Sequence, residues 1–281
     1  MIKYMRCSEV EKELAFKAFQ EGFSDYIIKF NFSKEEFYKR FFGPEGNSLE
    51  NSFIAIEGEE PVGVILGGIK NYEGVKTMRC GTLAIKPNYR GLGVSNALYD
   101  LHKAEALKNG CKQLFLEVIC GNDRAINFYK KLGYEKIYDI SFYALSKLKQ
   151  LKSNPLIEIK NISFDTFKNQ VNKVKYFHIN WQNDLEYMKN SEDNTYYAAF
   201  SSNEILGCIC ISNMGRISYL MINRDSRGEG IASSLINEAC TELNLSRLTT
   251  SFTNNSLLEG LFKHLGFTKE KLTQYEMYIT L

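Results

Sequence analysis

At 281 residues the chain is long for one compact domain and comfortable for two, each able to bury a core. Hydrophobic residues at 44%, charged residues at 24% and only 4 prolines describe an ordinary globular protein and exclude a disordered, collagen-like or coiled-coil one. The formal charge of +2 is nearly balanced in both halves, so the basic excess of a nucleic-acid-binding surface is missing.

Met1 to Glu9 carry Lys3, Arg6 and Glu9 with no apolar stretch behind them, unlike a secretory leader. Later apolar runs such as Pro61 to Ile69 are short and broken by glycine, well below the roughly 20 residues that cross a membrane as a helix. Seven cysteines without a Cys-x-x-Cys pair fit reduced thiols, and Cys208 and Cys210, two apart in an apolar run, read as core. His102, His178 and His264 complete no ligand cluster. The expectation is a cytoplasmic protein with no metal, no nucleic-acid partner and no membrane partner.

In chain order, helix-like Val10 to Gln20 and Lys34 to Phe41 precede two strands, Phe53 to Glu57 and Val62 to Lys70. A third strand ends at Thr82-Leu83-Ala84-Ile85 and runs into Arg90-Gly91-Leu92-Gly93. Behind these glycines Val94, Ala97, Leu98, Leu101 and Ala104 recur at helical spacing, so the loop opens a helix. Leu114 to Val118 reads as a strand. Asn122 to Leu132 is a helix capped by Asn122 and stopped by Gly133, and Ile140 to Leu145 is one more strand. The polar stretch Ser146 to Pro155 reads as a linker.

The second half repeats this order. Helices Phe164 to Val174 and Asp184 to Lys189 flank an aromatic cluster, Tyr176 to Trp181. They lead to strands Tyr196 to Phe200, Ile205 to Ser212 and Ser218 to Ile222. Arg227-Gly228-Glu229-Gly230, a helix, strand Leu248 to Phe252, helix Asn255 to Leu265 and strand Gln274 to Leu281 complete it. Arg227 follows Arg90 by 137 positions and Gly266 follows Gly133 by 133, so the later copy is four residues shorter between them. The expected division is 1–150 and 156–281, each a mixed α/β unit. Neither loop carries the Gly-Lys-Ser/Thr of a Walker sequence, and Gly91 to Asn96 lacks the third glycine of a dinucleotide fingerprint, so ATP and NAD fit poorly.

Arg90-Gly91-Leu92-Gly93-Val94-Ser95 and Arg227-Gly228-Glu229-Gly230-Ile231-Ala232 resemble the Arg/Gln-x-x-Gly-x-Gly/Ala signature of the GCN5-related N-acetyltransferase (GNAT) superfamily. Asn122 to Tyr134 is similar to its Asn-x-x-Ala-x-x-x-Tyr-x-x-x-Gly-Phe segment. Ser95 departs from the signature's Gly or Ala by the next smallest choice. The resemblance implies a tandem of two GNAT-like domains, each a mixed, mainly antiparallel sheet flanked by helices, with acetyl-CoA as cosubstrate. It places Leu83, Ala84, Ile85, Arg90, Gly91, Leu92, Gly93, Val94, Ser95, Asn122 and Phe128 along the coenzyme. A glycine loop opening a helix suits a pyrophosphate on physical grounds, because backbone N–H groups and the helix dipole both face the anion.

Acetyl transfer to an amine needs a base for the ammonium proton and an acid for the departing thiolate. Glu117 and Tyr129 lie 12 residues apart, similar to the Glu and Tyr of the branch that acetylates protein N-termini, which implies base and acid roles. By the 133-residue offset the second copy has Thr250 and Phe262 at these places, so it reads as a degenerate copy. Asp25 and Tyr26, after the first helix, are candidates to hold the acceptor, a small-molecule or peptide amine. The expected function is N-acetyl transfer by the first domain. A non-catalytic coenzyme A-binding sensor or scaffold is the alternative, and the oligomeric state stays open.

Overall fold

A computed structural model of the chain describes residues 1–146, 151, 153–174 and 177–281. It forms two compact units, Met1–Ile137 with Tyr275–Leu281, and Tyr138–Gln274. The division falls inside a strand and not at the polar stretch 146–155, of which residues 147–150 and 152 lie outside the described residues. This differs from the expected 1–150 and 156–281 because each unit takes its last strand from the other repeat.

In unit 1 the chain forms β1 (Ile2–Arg6), α1 (Lys12–Gly22), α2 (Lys34–Phe41), β2 (Ser48–Glu57), β3 (Glu60–Tyr72) and β4 (Val75–Ile85). Next come α3 (Val94–Lys108), β5 (Gln113–Ile119), α4 (Asp123–Lys131) and the start of β6 (Glu135–Leu145). Unit 2 contains the rest of β6, β7 (Glu158–Asn161), α5 (Phe164–Lys173), α6 (Leu185–Asn190), β8 (Asn194–Ser201), β9 (Glu204–Ser212), β10 (Arg216–Ile222) and α7 (Ile231–Glu242). It continues with β11 (Leu248–Thr253), α8 (Ser256–His264) and the start of β12 (Thr268–Thr280), whose end returns to unit 1.

The sheet of unit 1 runs β1-β2-β3-β4-β5-β12, and that of unit 2 β6-β11-β10-β9-β8-β7. The pairs β4–β5 and β10–β11 are parallel and the other paired registers are antiparallel, as the mixed sheet required. The returning strand is fixed in unit 1 by Phe115 against Tyr278, with ring centroids 4.8 Å apart, and by the Leu281 N–H donating to Lys112 O at 2.9 Å. In unit 2, β6 pairs β11 from Leu248↔Leu145 to Thr253↔Ile140, and Tyr143 stacks on Phe252 at 5.2 Å.

Side-chain alternation divides each unit into two apolar layers. In β2, Phe53 and Ala55 join the layer of α3 and α4 with Leu98, Tyr99 and Ile126. Ile54 and Ile56 join Phe16, Phe19 and Phe37 of α1 and α2 on the other face. Unit 2 follows suit: Ile209 and Ile211 face α7, whereas Cys208 and Cys210, both fully buried, face α5 with Phe167 and Met188. The two cysteines are core, as their spacing indicated. Burial pushes the Cys208 thiol up to about 12, so it behaves as a small hydrophobe. No helix among the described residues is long and apolar enough to cross a membrane.

His102 on α3 is fully buried and neither ring nitrogen has a hydrogen-bond partner. Gly67 makes room for it, since a Cβ there would stand 3.1 Å from His102 Nδ1. Burial lowers its pKa to about 3, against about 6.5 unfolded. Between these values the unfolded chain holds a proton that the folded chain refuses, so this residue's contribution to stability falls as pH drops below 6.5. A His102→Leu variant is expected to be at least as stable as the parent at pH 7.5 and to gain on it by up to about 1.4 kcal/mol per pH unit on acidification. Urea melts of both proteins from pH 8 to 4.5 measure the difference; a constant difference across that range contradicts the assignment.

Candidate active site

In unit 1, β4 and β5 are paired only from Thr77↔Gln113 to Arg79↔Phe115. Between Thr82, opposite Leu66, and Cys80, opposite Gly67, β4 carries a bulge. Gly81 stands in it because the Asn47 side chain packs there; a Cβ would lie 2.3 Å from Asn47 Oδ1. Beyond the bulge Leu83, Ala84 and Ile85 stay paired to β3 but have no recorded partner on β5. An open backbone edge of this kind suits an extended amide-bearing chain such as pantetheine. Ala84 and Ile85 are buried and Leu83 packs on the α3 layer, so it is their backbones, not their side chains, that are offered at that edge.

The edge leads into the glycine loop. Gly91 and Gly93 have φ of 79° and 83°, and a Cβ on either would meet nothing within 4 Å, so they serve conformation and not packing. Gly93 is the N-cap of α3 and supplies no side-chain cap, whereas Ser33 and Asn122 cap α2 and α4 with their side chains. The α3 terminus is therefore left to a ligand or solvent. Val94 anchors the turn in the core, Ser95 is half-buried, and Leu92 is exposed. Phe128 packs edge-on to Tyr129 at 5.3 Å on the rim of the same core.

Arg90 is held by three groups. Its Nη2 donates to Asp25 Oδ1 at 2.7 Å and to Gly22 O at 3.0 Å, and its Nε donates to Ile85 O at 3.0 Å. The hydrogen bond from Arg90 lowers the Asp25 carboxyl to about 2. The carboxylate of Asp25, the residue expected to hold a cationic acceptor, is engaged by the arginine of the loop. Tyr26, one residue on, accepts from Asn122 Nδ2 at 3.4 Å, so Asn122 combines its cap, Ala125 N to Oδ1 at 3.3 Å, with a bond to this segment.

Glu117 and Tyr129 approach the opening from opposite faces. Leu114, Leu116 and Val118 of β5 belong to the α3/α4 layer with Tyr129, so Glu117 points to the other face by alternation. Tyr129 is buried, with its hydroxyl 3.7 Å from Cys80 Sγ, and burial raises its pKa well above the usual phenol range. It stays a neutral donor. The Glu117 side chain is 3% exposed; its Oε2 accepts from Arg79 Nε at 2.8 Å and Nη2 at 2.6 Å, while Oε1 has no partner. Burial first, then Glu45 and Glu276, raise this carboxyl to about 7 against the opposing pull of Arg79.

Arg79, Glu45, Glu276 and Cys80 were not singled out in the sequence. A signal existed for the first: Arg79 and Arg216 are 137 positions apart, the spacing of Arg90 and Arg227, so the two repeats carry the same strand arginine.

Unit 2 keeps the frame. β10 pairs β11 only at Arg216↔Thr249 and Ile217↔Thr250, with an irregularity after Ile217. Gly228 and Gly230 have φ of 86° and 77°. Register and face place Ser251, not the expected Thr250, at the position of Glu117, because Thr250 turns its hydroxyl to Ile217 O at 2.9 Å. The connection to α8 is one residue shorter than its counterpart, which a single sequence offset misaligns. Phe262 fills the tyrosine position and is 1% exposed. A cavity of about 390 Å³ opens between the Arg227 loop, β10, β11 and α8 of this unit. It thus lies in the repeat without the Glu and Tyr. Of the aromatic cluster, Tyr176 lies outside the described residues, Trp181 is buried, and Phe177 lines the cavity.

Residues 11–134 match the Acetyltransferase (GNAT) family and residues 160–281 match an Acetyltransferase (GNAT) domain. The chain belongs to the GNAT superfamily, as a tandem pair. Its fold is shared by the tandem GNAT protein from the clavulanic acid biosynthesis pathway, with a TM-score of 0.73 at 12% identity, covering 100% of this chain and 98% of that one. A GCN5-related N-acetyltransferase from Sphaerobacter thermophilus has a TM-score of 0.68 at 14% identity, covering 100% and 95%. At these identities the likeness is one of fold. Among curated proteins, an acetyltransferase of Sodalis glossinidius is 37% identical over 76 residues, 27% of this GNAT chain and 51% of that protein. One of Pectobacterium atrosepticum is 33% identical over 78 residues, 28% and 52%. The chain spans about half the length of these curated relatives.

Proposed function

We propose that unit 1 transfers an acetyl group from acetyl-CoA to a primary amine directly, within a ternary complex. The observation that carries this reading is the parted β4–β5 edge with Glu117 on one face and Tyr129 on the other. The glycine loop and α3 terminus would hold the pyrophosphate, with Arg90 contributing charge, and the open β4 edge would hold the pantetheine arm. Glu117, ionised and with Oε1 free, takes the ammonium proton directly or through water. The amine nitrogen bonds to the thioester carbon, the C–S bond breaks, and Tyr129 Oη protonates the leaving sulfur. A β4 N–H would stabilise the oxyanion between these events. The acceptor is a small-molecule or peptide amine. The test is thiol release from acetyl-CoA in the presence of a panel of primary amines; coenzyme binding without turnover of any amine or peptide N-terminus would overturn it.

A second reading applies to unit 2, and its cavity favours it: a site that binds coenzyme A without transferring. Among the described residues Arg227 makes a long contact, Nε to Ile222 O at 3.4 Å, and no ion pair with a carboxylate. Calorimetric titration with acetyl-CoA is expected to show two equivalents bound. Gly93→Glu should remove one and Gly230→Glu the other, since each adds a side chain at positive φ and a negative charge at an anion site. One equivalent in the parent, abolished by Gly93→Glu alone, would remove the second site.

A further inference from the structure

The cavity of unit 2 reaches both faces of its sheet. On one side it is walled by Leu220 and Ile222 of β10 and Phe262 of α8, which pack in the α7/α8 layer. On the other it is walled by Tyr219 and Met221 of β10 and by Ile179, which belong to the α5 layer. Successive side chains of a strand point to opposite faces, so one cavity lined by both sets passes around the edge of β10. The passage lies beyond Ile217↔Thr250, where pairing with β11 stops. Its lining begins at Arg227 and Gly228 on the loop and extends to Val174 and Phe177 after α5. At about 390 Å³ it has the size of a small-molecule site.

At the middle of the passage the walls lack the polar atoms of unit 1. Ile217, the last residue of β10 before its irregularity, stands where unit 1 has Cys80, and Phe262 stands where it has Tyr129. Both are 1% exposed and both line the cavity. Ser251 replaces the carboxylate of Glu117. Polar side chains of the lining turn to protein partners: Thr250 Oγ1 donates to Ile217 O, and Asn183 Nδ2 donates to Ser251 O at 2.6 Å while its Oδ1 accepts from Arg216. Leu257 of α8 and Phe177 are large apolar side chains that line the same cavity and are more than half exposed. Scattered singly such residues need no explanation, but two on the rim of one cavity suit a ligand.

The passage thus joins three chemistries: backbone N–H groups at a helix start for an anion, an open strand edge for an amide-bearing arm, and beyond it an aliphatic wall. We propose that unit 2 binds an acyl-CoA whose acyl chain is aliphatic and longer than acetyl, the chain lying along Ile217 and Phe262 toward Ile179 and Phe177. The inference rests on the reading of unit 2 as a coenzyme A site and names its ligand. With no carboxylate or phenol at the reacting position the thioester stays intact, so the site distinguishes acyl groups without transferring them.

The test is calorimetric titration of full-length protein carrying Gly93→Glu, which blocks unit 1, with acetyl-, butanoyl- and hexanoyl-CoA. Each buried methylene strengthens binding roughly fourfold, so hexanoyl-CoA, four methylenes longer, should bind on the order of 10²-fold tighter than acetyl-CoA. Phe177→Ala, a truncation at an exposed position, should weaken hexanoyl-CoA binding by about threefold or more and leave acetyl-CoA binding as it was. Equal affinity for the three thioesters, or a gain with chain length that Phe177→Ala leaves untouched, overturns the proposal while the second coenzyme site stands. A gain that persists when Gly230→Glu is added reports the chain binding elsewhere and overturns it as well. Failure of every thioester to bind the Gly93→Glu protein removes the coenzyme site of unit 2 and the proposal with it.

Discussion

Glu117→Gln is expected to lower kcat/KM for the amine acceptor by about 10²–10³-fold, and Tyr129→Phe by about 10–10³-fold, with acetyl-CoA affinity unchanged in both. The two substitutions remove proton transfers at opposite ends of one displacement, so the double variant should lose less than the product of the single losses. The pH profile separates the roles. Parental activity should rise with pH through about 7 as Glu117 ionises, and Glu117→Gln should lose that limb. Tyr129 stays protonated throughout the assay range, so Tyr129→Phe should lower the whole profile without moving it. Neither change threatens folding: Phe262 already fills the corresponding place in unit 2, and glutamine preserves the acceptor for Arg79. Transfer at the parental rate in both variants would remove the acid–base assignment.

The repeat, the two glycine loops and the helix caps were legible in the sequence because each is a local constraint. Positive φ needs glycine at positions 91, 93, 228 and 230, and an exposed helix start needs Asn122 or Asn255. Partners set by tertiary structure were not legible. Nothing local distinguishes Ile140–Leu145 pairing within its own repeat from pairing with β11, since both offer the same alternating apolar face. The placement of each repeat's last strand therefore escaped a reading that relied on linker composition. Asp25 shows the same limit: its side chain suited a cationic acceptor, and only the fold reveals that Arg90 meets it first.

The buried charges lend themselves to a stability experiment in which the two repeats serve as controls for each other. Arg79→Met should destabilise unit 1 by about 3–5 kcal/mol at pH 7.5, because it leaves Glu45 and Glu117 buried without their shared guanidinium. Arg216→Met removes hydrogen bonds to an amide and a carbonyl and should cost only about 1–2 kcal/mol. The losses should also differ in pH dependence. Without Arg79 the Glu117 carboxyl loses the opposing pull and its folded pKa rises further above the unfolded value of about 4.3. The folded state then holds a proton that the unfolded state has released, so Arg79→Met should recover stability as pH falls from 7.5 toward 5 and lose it as pH rises through the folded pKa. No carboxylate among the described residues pairs with Arg216, so the deficit of Arg216→Met should stay constant over the same range. His102, which weakens the fold on acidification, is present in parent and variants alike and cancels in each difference. Urea titrations at pH 5 and 7.5 supply the comparison. Equal, pH-independent losses for the two arginines would mean that the carboxylates of unit 1 are ordinary ion-pair partners, and that their neutral replacements in unit 2 reflect drift and not a different task.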